Sequence, residues 1–249
     1  MQVENTVSPP LMRQAAKTRL RPVYLVAAAL AIATAIAGFW PKYFGPFFAG
    51  SLQAIPVIHL HAAVFIGWLA IFAMQAWFAA RGRMTLHRRV GEYAMYWGVL
   101  VIVVGVVTSF VVFGERIATG NVREANIKLF VPLTDLAVFL PFFAAAWVYK
   151  RRPEWHKRFM LVATTILLVA AVHRIRFLGG PPPPVPKLLA LWLAPIYIAM
   201  VYDFVKSRTV HWIYLLGIGA ILFLKFGRFG MAQSDTWHDM AAWFASFYG

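Results

Sequence analysis

The chain has no cysteine, which excludes disulfides, thiolate metal sites, iron–sulfur clusters and a c-type haem attachment. Charge is scarce as well: 13% of the 249 residues are Asp, Glu, Lys or Arg, and only nine are acidic. Soluble domains carry roughly twice that charged fraction, so an ordinary water-facing globule is excluded. Neither HxxxH nor HExxH occurs, which removes the commonest helical zinc signatures.

Apolar residues fill the space instead, at 61% of the chain with a mean hydropathy of +0.67. They fall into runs long enough to cross a bilayer. The spacing predicts an all-α polytopic transmembrane bundle of about seven helices, six if the first or last does not span. The spans are 23–40, 55–80, 93–113, 129–149, 159–177, 188–204 and 212–227. Ala35-Ile36-Ala37 resembles a signal cleavage site, but the first run is read as an uncleaved span. The expected parts are a basic tail, 1–22, a single bundle, 23–230, and an interfacial amphipathic tail, 231–249. In that tail Trp237, Met240, Phe244 and Phe247 recur at helical spacing.

The formal charge of +15 suggests a nucleic-acid partner until its distribution is examined. Fifteen of the 24 Lys and Arg residues sit in four clusters, near residues 13–21, 81–89, 150–158 and 206–208. All four clusters flank apolar runs on one side of the expected topology, which is the positive-inside pattern. The reading is a cell (inner) membrane protein with its N-terminus inside, attraction to anionic lipids, and no nucleic acid.

The longest uninterrupted wall is 55–80. His61, Trp68 and Gln75 are each seven residues apart there and share one stripe of a helix. A polar stripe must avoid lipid, so it is expected to face inward. Six of the seven histidines form two layers. His59, His61 and His173 lie outside; His87, His156 and His211 lie inside; His238 is in the tail. Neutral imidazole is a good ligand for zinc, copper or haem iron. His59 and His61 point to nearly opposite faces, because two residues turn a helix by about 200°. Asp135 is read as the acid within a span, a metal ligand, a proton carrier or the ion-pair partner of Arg174 or Arg176, with the ion pair placed first. The segments TLHRRVGEYAM (85–95) and EWHKRFMLVAT (154–164) are alike, which suggests that hairpins 2–3 and 4–5 repeat.

Layered histidines on a basic helical bundle resemble the transmembrane di-haem b-type cytochromes, including the ascorbate-reducible kind. LHRRxG and WHKRxM also resemble uncharacterised bacterial membrane families to which haem or electron-transfer roles are sometimes ascribed. The resemblance covers about residues 55–178. It implies haem b, an outer haem on His61 and His173, an inner haem on His87 and His156, and propionates near Arg174, Arg176, Arg88 and Arg158. It also implies a redox partner or a larger membrane complex. In that family two ligands on one helix share a face, whereas His156 and His173 are about 26 Å apart along a helix and roughly 100° out of register. The outer pair is therefore placed first, and one haem ahead of two. Two other readings stay open. One is a metal-dependent membrane enzyme with zinc or copper at the outer face, held by His61, His173, His59 and Asp135. The other is a non-catalytic subunit or carrier with structural histidines.

Overall fold

A computed structural model describes residues 22–175, 181 and 183–248. Seven helices in it are long and apolar enough to cross a membrane, as the apolar runs require. They are α1 (Val23–Phe48), α2 (Pro56–Ala80), α3 (Met84–Ile117), α4 (Val122–Val148), α5 (Pro153–Val172), α6 (Val185–Ser207) and α7 (Trp212–Ala232). An eighth, α8 (Asp235–Ala245), follows. No strand occurs among the described residues, and the chain is a multi-pass membrane protein of all-α class.

Several helices outrun their apolar cores. The prolines and glycines of 41–48 look like loop, yet α1 continues through them by widening into a π-turn, Trp40–Phe44. The π-turn accommodates Pro41, which offers no N–H to the preceding turn. α4 begins at Val122 because Asn121 caps it, its side chain accepting from the Glu124 N–H at 3.2 Å; such a cap satisfies one of the orphan donors of the first turn. α7 likewise passes through a π-turn, Phe223–Gly227, before ending at Ala232.

The central helix is α5, not the long apolar α2. Of the apolar window of α5, 67% is buried by protein, against 17–39% in the other six spans. It packs on α1, α4, α6 and α7, while α2 touches chiefly α1 and α3. Contact between α1 and α5 depends on a glycine: a Cβ on Gly38 would lie 2.3 Å from the Ala171 carbonyl oxygen. In a bilayer such small residues let backbones approach, because lipid is as apolar as leucine and only close packing distinguishes neighbours. Near its middle α5 is pinned by Trp192 of α6, whose Nε1 donates to the Thr165 carbonyl at 2.8 Å. The helix is interrupted at Leu168 and resumes for one turn.

α8 and the residues just after it divide their apolar side chains between protein and surface. Trp237 and Ala241 are buried against α4, and the Trp237 indole donates to the Asn126 carbonyl at 2.9 Å. Met240, Trp243 and Phe247 remain exposed and are the face offered to lipid.

The basic clusters near residues 85, 154 and 207 all fall at one end of the bundle once the seven spans alternate. Reporter fusions after these residues are expected to read as cytoplasmic. Fusions after 48, 120 and 183 are expected to read as the opposite side. A cytoplasmic signal after 120 would invert the arrangement.

Candidate functional site

The inner layer is where two histidines meet. His87 sits in the first turn of α3 and His156 in the first turn of α5. Their ring centroids are 6.2 Å apart and the rings are perpendicular. Each is held by the helix before its own. His156 Nδ1 donates to the Ala146 carbonyl at 2.8 Å, near the end of α4. His87 Nδ1 lies 3.2 Å from the Gln75 carbonyl, near the end of α2. The two hairpins, α2–α3 and α4–α5, thus present their histidines in the same manner, which gives the sequence similarity of 85–95 and 154–164 a structural counterpart.

An Nδ1–H engaged by a carbonyl fixes the tautomer and leaves the Nε2 lone pair for a ligand or a donor. For His87 the Gln75 side chain offers a competing arrangement. Turned so that its amide nitrogen faces the ring, it donates to His87 Nδ1 at 2.8 Å and to the His87 carbonyl at 3.0 Å, while its oxygen accepts from the Gly91 N–H. That arrangement moves the His87 proton to Nε2.

The stripe on α2 does face inward, but its members do different work. Trp68 is 1% exposed and stands edge-on to Phe139 and Phe143 of α4, each 5.7 Å away. It is a packing residue. Gln75 addresses His87 as just described. His61 stacks on Phe65 one turn on, at 4.1 Å, and its buried Nδ1 has no hydrogen-bond partner.

The outer pair does not come together as the resemblance implies. Among the described residues no ring contact joins His61 to His173. His173 Nδ1 donates to the Val169 carbonyl at 2.8 Å, its ring meets Trp192, and Lys225 Nζ lies 3.4 Å from its Nε2. Burial pushes the His173 imidazolium pKa down, and the cations of Lys225, Arg228 and Arg174 add to this against the Val169 bond. His59 turns away from His61, as the helix geometry requires, and pairs with the Tyr43 hydroxyl at 3.1 Å.

Asp135 pairs with Arg228 of α7, not with Arg174; Arg176 lies outside the described residues. Arg174 instead folds back to the Ala170 carbonyl at 2.6 Å and over the Phe39 ring of α1. Consequently His59, His173 and Asp135 have separate partners, and His61 has only its stack on Phe65. No group of three or more His, Asp or Glu able to hold a metal occurs among the described residues.

Arg158 is also committed elsewhere. On α5 it lies two residues from His156, so it points to the opposite side, toward α6 and α7. There its Nε donates to Asp203 Oδ2 at 3.0 Å. The same oxygen accepts from the Tyr214 hydroxyl at 2.8 Å, and Tyr214 bonds Tyr24 at 3.1 Å. Glu154 supplies a second carboxylate at 2.8 Å. Asp203 is a second buried acid, near the end of α6, that the sequence reading passed over. Its signal was a single Asp at the end of the apolar run of 188–204. Arg88 remains beside His87, close enough for its charge to act on the ring.

The two remaining histidines are structural. His211 caps α7, accepting from the Ile213 N–H at 3.4 Å, and packs on Trp155. His238 bonds the Asn126 amide at 3.2 Å. Compared with known proteins, the chain matches no family model, no curated protein and no solved structure.

Proposed function

We propose that this membrane bundle binds haem b at its inner end through His87 and His156 and serves membrane electron transfer. The observation that carries the reading is the perpendicular imidazole pair at 6.2 Å. His87 and His156 would hold the group between them. The donor set fits haem better than a bare ion. A haem iron needs only two axial protein ligands, whereas a zinc site needs three or four, and no such cluster occurs among the described residues. This is also the observation that sets the metal-enzyme reading behind.

When bound, haem supplies one-electron chemistry. The residues of the chain supply orientation. The Ala146 carbonyl holds the His156 ring by its Nδ1 atom, Gln75 holds the His87 ring by its backbone and side chain, and Arg88 offers a cation beside them. Arg158 takes no part, because Asp203 and Glu154 already neutralise it.

The purified protein, expressed with haem supplied, is expected to show a Soret band and sharp α and β bands on reduction. His87→Ala and His156→Ala should each abolish or shift that spectrum, while His61→Ala, His59→Ala and His238→Ala should leave it. A spectrum lost with His61→Ala and His173→Ala but kept with His156→Ala would return the haem to the outer pair. A colourless protein containing zinc or copper would refute the haem reading.

A further inference from the structure

An open cleft of about 500 Å³ at the outer end of the bundle is lined by charged as well as apolar residues. Lys42 and Tyr43 line it from the π-turn of α1, and Glu115 and Arg116 from the end of α3. Gln53, in the link between α1 and α2, lies on the same polar wall, and Ile55, Ile58 and Val112 form the apolar one. Among the described residues the side chains of Lys42, Gln53 and Glu115 have no hydrogen bond or ion pair. Lys42 and Glu115 thus share a cleft without pairing. Opposite charges left apart in this way are complementary to a molecule that carries one charge of each sign.

The depth of the cleft points to the kind of molecule. Between Glu92 and Glu115, α3 has 22 consecutive residues, 93–114, without a charge, which measure about 33 Å at 1.5 Å per residue. A hydrocarbon core is about 30 Å thick, so Glu115 emerges at the level of the lipid head groups. Trp40, Phe47 and Phe48 of α1 are exposed beside it, as interfacial aromatic residues are. A purely anionic head group there is repelled by Glu115, and a purely cationic one by Lys42 and Arg116. Glu124 acts on Arg116 from the start of α4, although it bonds Lys128 and Asn121, so the cationic role falls to Lys42.

We infer that this cleft binds a zwitterionic lipid of the outer leaflet with a phosphoethanolamine head. Lys42 and Gln53 meet the phosphate, Glu115 meets the primary ammonium, and the apolar wall takes the first part of an acyl chain. The Tyr43 hydroxyl, 3.1 Å from His59 Nδ1, has hydrogen-bonding capacity left for the same head group. The site lies at the other end of the bundle from His87 and His156 and does not rest on the haem reading.

The test is thermal unfolding of the delipidated full chain in detergent with added phosphatidylethanolamine, phosphatidylcholine or phosphatidylglycerol of the same acyl chains. Phosphatidylcholine carries the same two charges but no N–H for Glu115, and phosphatidylglycerol carries only the negative one. The expected result is a Tm rise of roughly 2–6 °C with phosphatidylethanolamine beyond that with the other two. It should be lost in Glu115→Gln and in Lys42→Gln but retained in Arg123→Gln. Both test residues are exposed and unpartnered, so these variants are expected to fold as the wild type does. Soluble glycerophosphoethanolamine should give a clearly smaller rise, because it lacks the chain for the apolar wall. An equal rise with all three lipids, a larger one with phosphatidylglycerol, no rise at all, or a rise that both Gln variants keep would overturn the site. A rise as large with the soluble head alone would overturn the lipid as its occupant.

Discussion

Asp203→Leu is expected to lower stability by about 3 kcal/mol, toward the lower end of the 3–5 kcal/mol range for breaking a buried ion pair. Arg158 is 6% exposed and Asp203 7%, so removing the carboxylate leaves a guanidinium that cannot shed its proton. The Tyr214 hydroxyl loses its acceptor in the same step. Glu154 keeps one hold on Arg158, which is why the cost stays at the low end. In detergent the Tm should fall by roughly 6–12 °C, at about 2–4 °C per kcal/mol for a chain of this size. Arg158→Met with Asp203→Leu should recover most of the loss, since apolar groups of similar volume often replace a buried pair without penalty. A single variant as stable as the wild type would show that the pair is not the clamp joining α5, α6 and α7.

The Asp135–Arg228 ion pair should behave asymmetrically. Asp135→Asn strands Arg228, which is 4% exposed, whose Nε already has no partner, and which remains tied to the Val131 carbonyl at 3.2 Å. Arg228→Met strands Asp135 instead, and a stranded carboxyl escapes by binding a proton. The first change is therefore expected to cost about 3–5 kcal/mol and to cut the yield of folded protein sharply. The second should cost clearly less. Equal losses in detergent unfolding would contradict this account. Retained stability with lost electron transfer in Asp135→Asn would place Asp135 in the chemistry.

Why some features were legible follows from what water and lipid each select. Seven spans and the alternation of basic clusters can be read directly, because a charge within lipid is costly and apolar runs have few other uses. Which helix stands at the centre cannot be read in the same way. Lipid and protein core are equally apolar, so the long run 55–80 resembles a core helix although α2 is the least buried span. The informative signal ran the other way: α5 is the least apolar of the seven spans, because it hardly faces lipid. Helix ends were misjudged where Pro41 and Pro46 resemble loop and the backbone absorbs them in a π-turn.

Partner choice was the other blind spot. Asp135 was recognisable as an ion-pair acid, but Arg174, Arg176 and Arg228 are equivalent in sequence. The contact of Asp135 with Arg228 is what assigns the partner, while Arg174 lies over Phe39 instead. For the histidines, the layers were readable from the spans, whereas the pairing depended on rotation. His87 and His156 meet because two similar hairpins lay their helix starts side by side. His61 stacks on Phe65 and His173 on Trp192, so equal depth did not bring them into ring contact.

The central claim is that His87 and His156 together hold one haem b. Its most direct test is the ratio of extractable haem to protein, measured by pyridine haemochrome on chain purified after expression with haem supplied. The account predicts a ratio near one for the wild type and for His61→Ala, and a ratio near zero for the His87→Ala/His156→Ala double variant, which must remain folded by detergent unfolding. A folded double variant that retains the wild-type ratio, or a wild type with no haem at all, would contradict it.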